Sequence, residues 1–78
     1  MARTLTLPFS GTKLRTLRET KGLFQTDLAE ACTAAGQPLD YSRISRYETG
    51  RTKPTPPILL ALANALDVDV ADLLDEVA

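Results

Sequence analysis

Residues 40–54, DYSRISRYETGRTKP, concentrate the polar chemistry of this 78-residue chain. Arg43, Arg46, Arg51 and Lys53 stand there, four of the nine basic residues of a chain whose net charge is −1. With Ile44 and Tyr47 turned inward as the apolar pair of one helix, Tyr41, Ser42, Arg43, Ser45 and Arg46 are left on its outer face. A guanidinium presents a planar fork of donors that matches two acceptors on one edge. A hydroxyl donates or accepts, and a tyrosine ring covers an apolar group such as a methyl. This is the chemistry of recognition rather than of bond breaking. The sequence has no histidine, so Ser/His/Asp and Cys/His catalytic sets are excluded. Its carboxylates fall on expected helix surfaces, with no pocket to raise their pKa, and an enzyme is not expected. The single cysteine, Cys32, can neither close an internal disulfide nor hold zinc without histidine, so no metal and no cofactor is expected. It lies four residues after Leu28 on the same helical face, the place of a small buried apolar side chain.

Charge along the chain is segregated. Residues 1–53 hold all nine Lys and Arg against five acids, whereas residues 54–78 hold five acids and no base. One end of the molecule suits a polyanion, and the other would be turned away from it. The apolar N-terminal run is too short for a signal peptide core and nothing approaches a membrane span, so a cytoplasmic protein is expected.

The length allows one small domain. Leucine and alanine dominate, and only four aromatic residues occur, which favours a helical bundle. Residues 1–11 read as an extended N-terminal arm and residues 12–78 as the domain. Ser10 or Thr12 caps a first helix, 12–20, carrying Leu14 and Leu17, and Gly22 stops it. A second helix runs over 25–35 with Leu28, Ala29 and Cys32 inward. Asp40 caps a third, 41–48, which Gly50 ends. Thr55 caps a fourth that opens on Pro56 and carries Ile58, Leu59, Leu62, Ala63 and Leu66. Asp69 caps a short fifth with Val70, Leu73, Leu74 and Val77. The expectation is an all-α, five-helix bundle.

Three stretches in this order resemble the phage repressor and Cro type of helix-turn-helix domain. They are LRTLRETKGLFQTDLAEA for two helices, SRISRYETGRTKPTP for a recognition helix and its loop, and LLALANALDVDVADLL for the last two helices. The resemblance covers about residues 12–75. It implies a lambda-repressor-like fold and sequence-specific binding of double-stranded DNA by a transcription regulator, with helix 41–48 in the major groove. It makes Tyr41, Ser42, Arg43 and Arg46 the base-contact candidates. Gln25, Thr26, Thr49, Arg51 and Lys53 are by the same resemblance the phosphate contacts, with Thr52 beside them. Arg18 and Glu48 are implied as an ion pair that ties the recognition helix to the first helix, a structural role.

Two departures from the family accompany these matches. TAAGQPL lengthens the turn between the second and third helices. Phe24 stands where a capping Ser or Thr is usual, which removes about 1 kcal/mol of helix-end stabilisation. Its ring is expected to lie half-buried against the neighbouring helix, the sharper alternative being contact with a partner or a DNA sugar.

The regulator is expected to act as a repressor and a homodimer, through the last helix or the arm. The competing reading is a protein-interaction module, such as an antitoxin or transcription adaptor, whose acidic C-terminal face meets a basic partner.

Overall fold

The computed structural model describes residues 8–75. Their elements are α1 (Gly11–Thr20), α2 (Gln25–Ala34), α3 (Tyr41–Glu48), α4 (Pro56–Leu66) and a 3-10 turn, Val70–Leu73. Each start has a local cause. The Ser10 side chain accepts from the Lys13 N–H at 3.1 Å and opens α1. Asp40 Oδ1 accepts from the Arg43 N–H at 2.9 Å and opens α3. Thr55 gives no side-chain cap, but Pro56 and Pro57 supply no N–H and so reduce what the first turn of α4 must satisfy.

The core takes a side chain from every element. Leu14, Leu28, Cys32, Ile44, Leu59, Leu62, Leu66 and Leu73 are completely or almost completely enclosed. Burial pushes the Cys32 thiol pKa up, in keeping with its role as a small apolar side chain. α2 packs on α3 and α4, α1 packs on α3, and the 3-10 turn packs on α4 and α1. α4 is the apolar spine, burying Ile58, Leu59, Ala61, Leu62, Ala63 and Leu66.

The bundle has four α-helices among the described residues, not five. The expected fifth helix is reduced to the four-residue 3-10 turn. Asp72 Oδ2 accepts from the Asp69 N–H at 3.0 Å and starts a turn, but the chain after Leu73 is claimed by another partner. Leu74 is extended, at φ −108°, and forms an antiparallel bridge with Phe9. The Ser10 N–H donates to the Leu73 carbonyl at 2.9 Å, and the Asp75 N–H donates to the Pro8 carbonyl at 2.7 Å. This clasp takes the backbone groups that a longer helix would need. Val77, expected on the fifth helix, and residues 1–7 of the expected arm lie outside the described residues. The described end of the arm is folded in: Phe9 is buried and meets Tyr47 edge to face, with ring centroids 6.4 Å apart.

Gly11 sets how closely α1 meets α3. A Cβ there would lie 2.2 Å from the Tyr47 carbonyl oxygen and 2.7 Å from that of Glu48. Only glycine allows the first turn of α1 to rest on the backbone at the end of α3.

Candidate nucleic-acid interface

α3 is held from three sides. Ile44 and Tyr47 are buried, and the last residue, Glu48, is fixed by its carboxylate. Arg18 Nε donates to Glu48 Oε2 at 2.6 Å and Arg18 Nη2 to Glu48 Oε1 at 3.1 Å. Arg18 Nη1 donates to the Leu23 carbonyl at 2.7 Å. The Arg18 pKa is raised, first by the hydrogen bond to Glu48, against a smaller opposing effect of burial. Gln25 Nε2 adds a third donor to Glu48 Oε1 at 3.1 Å. Gln25 therefore links α2 to α3 and keeps one amide N–H and its carbonyl for something else.

The lengthened turn between α2 and α3 is pinned rather than loose. Leu39 N–H donates to Thr33 Oγ1 at 3.1 Å, and the Gln37 N–H donates to the Cys32 carbonyl at 2.9 Å. The Thr33 hydroxyl has the Ala29 carbonyl at 2.9 Å and the Leu39 carbonyl at 3.2 Å as acceptors. The extra residues thus hang on the last turn of α2, and Asp40 delivers the chain into α3.

α3 ends in a left-handed stop. Gly50 has φ +78°, and the Arg51 N–H donates back to the Arg46 carbonyl at 2.9 Å. The reversal folds Arg51 beside the helix it follows. α4 ends the same way without glycine: Asp67 has φ +56°, and the Val68 N–H donates to the Ala63 carbonyl at 3.0 Å.

The result is an open groove of about 450 Å³. Gln25 lines it from α2. Tyr41, Ser42, Ser45 and Arg46 line it from α3, and Thr49 and Arg51 from just beyond. A second hollow, of about 390 Å³, continues it past Phe24, Thr26 and Arg18 and shares Gln25 and Tyr41. Helical geometry explains this membership. At about 100° per residue, Tyr41, Ser45, Thr49, Ser42 and Arg46 follow one another around a single arc of the helix. Arg43 falls on the far flank. Among the described residues Arg43, Arg46, Arg51 and Lys53 form no ion pair, so their charge is available to a ligand.

A helix-turn-helix domain family model matches residues 11–77. The chain belongs to the helix-turn-helix domain family. The matched stretch runs from the first residue of α1 to past the clasp. The transcriptional regulator PrpR of Mycobacterium tuberculosis is 37% identical over 68 residues, which are 87% of this chain. The chain spans 13% of that protein's length. The restriction-modification controller protein C.AhdI of Aeromonas hydrophila superposes with a TM-score of 0.73 at 36% identity, over 82% of this chain and 89% of that one. The P22 c2 repressor, solved in complex with a synthetic operator, superposes with a TM-score of 0.72 at 28% identity, over the same shares. The resemblance to the phage repressor and Cro type holds.

In the helix-turn-helix domain, then, the expected site residues divide. Tyr41, Ser42 and Arg46 come together with Gln25, Thr49 and Arg51 in the groove, and Thr26 joins through the adjoining hollow. Arg43 and Lys53 are exposed but line neither. Thr49 has spent its proton: its hydroxyl donates to the Ser45 or Arg46 carbonyl, at 3.1 and 3.3 Å. Phe24 departs from expectation. The residue is 76% exposed rather than half-buried. The backbone explains this: Phe24 N–H donates to Asp27 Oδ2 at 2.7 Å, which fixes the residue at the α2 start with its ring turned outward. Ser45, next to Tyr41 on the arc, is the groove residue that the expected site set left out, although its outward position was readable from the helical period.

Proposed function

We propose that this chain binds double-stranded DNA sequence-specifically and regulates transcription as a repressor, with α3 in the major groove. The groove carries this reading. It joins the exposed arc of α3 to the start of α2 and to an unpaired arginine after α3, on a helix braced at its far end. A helix about 10–12 Å across fits a major groove about 12 Å wide. Tyr41, Ser42 and Arg46 face base edges, and Arg43 joins them from the flank. Gln25, Thr26, Arg51 and Lys53 hold phosphates, which fixes register without reading sequence. Thr49 takes part once its hydroxyl leaves the helix carbonyls. The chain acts in the cytoplasm as a homodimer on a two-fold site, with half-sites about 34 Å apart. That the P22 c2 repressor was solved on an operator supports the docking mode.

The test is selection of bound duplexes from a randomised library, followed by titration of Arg46→Ala and Arg43→Ala on the selected site. We expect a palindrome. Arg46→Ala is expected to cost about 1–3 kcal/mol and to relax preference at one base position per half-site. Arg43→Ala tests the flank: loss of affinity with unchanged base preference would move Arg43 to the phosphates. Absence of any enriched sequence would sink the reading. The exposed acids Asp67, Asp69, Asp72 and Asp75 would then favour a protein-interaction module.

A further inference from the structure

We propose that Phe24 is a DNA-backbone contact, its phenyl ring seated on a deoxyribose beside the phosphate that α2 faces. This rests on the DNA-binding reading above and adds an apolar contact to it.

Phe24 does nothing for the fold where it stands. It occupies the N-cap of α2, a position that favours a side-chain acceptor, and a phenyl ring has none. Its exposure is 76%, the highest of the large apolar residues among the described residues, so it adds little to the core. Its backbone is nevertheless fixed on both sides. The N–H is held by Asp27, and the carbonyl accepts from the Leu28 N–H at 3.2 Å. The ring is therefore presented, not trailing.

Its neighbours say to what. The hollow beside it holds Gln25, Thr26, Tyr41 and Arg18, and Gln25 and Tyr41 belong to the recognition groove as well. The adjoining groove carries the unpaired charges of Arg46 and Arg51. A second copy of this chain meeting it face to face would bring the same basic charges and be repelled. A polyanion with apolar patches between its charges is the complement, and the sugars of a nucleic-acid backbone are those patches.

The experiment compares duplex affinity, its salt dependence, thermal unfolding and sedimentation for the unaltered chain, Phe24→Ser and Phe24→Leu. Serine restores a capping acceptor, so Phe24→Ser is expected to raise Tm by about 4–8 °C. It is expected at the same time to weaken DNA binding about fivefold. An apolar contact releases no counterions, so the slope of log K against log salt should not change. Phe24→Leu keeps most of the contact and most of the affinity. Unchanged affinity in Phe24→Ser, with the unaltered chain binding normally, would overturn the proposal and leave the DNA-binding reading intact. Weakened self-association with unchanged affinity per dimer would overturn it in favour of a protein contact. Failure of the unaltered chain to bind any duplex would overturn both.

Discussion

Arg18 and Glu48 are 30 positions apart in sequence and meet at 2.6 Å, with side chains only 10% and 3% exposed. Water offers little compensation there, so the pair is expensive to break rather than a large net stabiliser. Glu48→Gln leaves the guanidinium charged, buried and facing a neutral amide. We expect a loss of about 3–5 kcal/mol, read as a fall in Tm of more than about 10 °C. The double variant Arg18→Met/Glu48→Leu removes both charges and should recover most of that loss. If it remains as unstable as Glu48→Gln, the cost lies in the Gln25 and Leu23 contacts instead. The pairing was legible only through family resemblance, because nothing in the residue types says which of five N-terminal acids an arginine will find. Cys32 and Ile44 were readable directly, since an apolar position on a periodic face has one place to go.

Elements begin and end where short-range chemistry dictates. Ser10, Asp40 and Pro56 start helices, and Gly22 and Gly50 close them, as the residues alone suggested. Two features escaped this logic because they depend on contacts between elements. One is the shortened last helix, whose backbone partners come from Pro8–Ser10 at the other end of the chain. The other is Gly11, which reads as the last residue of the arm until the backbone of α3 is placed against it. We expect Gly11→Ala to cost about 3 kcal/mol, because the clash is with backbone that cannot rotate aside. It should also weaken DNA binding in the folded fraction, since α3 must shift to admit the methyl. Chemical denaturation and duplex titration of the same preparation separate these effects. An alanine variant as stable as the parent would mean that α1 and α3 are not packed this closely.

For the whole molecule, the charge distribution decides how binding responds to salt. The basic side chains at the groove are unpaired, while Asp67, Asp69, Asp72 and Asp75 lie on or beside the 3-10 turn, which packs on α1 and α4. Each phosphate neutralised contributes about −0.9 to the slope of log K against log salt. We expect Arg51→Ala to flatten the slope by about that amount per half-site without altering the preferred bases. A variant that changes base preference but not the slope would place Arg51 among the base-reading residues. Lys13 illustrates why counting basic residues overestimates the slope: its Nζ donates to the Leu74 carbonyl at 2.6 Å, so it serves the clasp.

The sequence by itself determined the four α-helices, the Ser10 and Asp40 caps, the apolar faces and the family, because these depend on neighbours within a few residues and on their order along the chain. It also placed Tyr41, Ser42 and Arg46 on one exposed side, a consequence of helical period. Tertiary structure decided the rest. It set Gly11 against the backbone at the end of α3, seated the Phe9 ring on Tyr47, and replaced a fifth helix by a clasp between distant segments. Each of these outcomes is a competition between partners remote in sequence, and only the packed chain sets which partner is near enough to win.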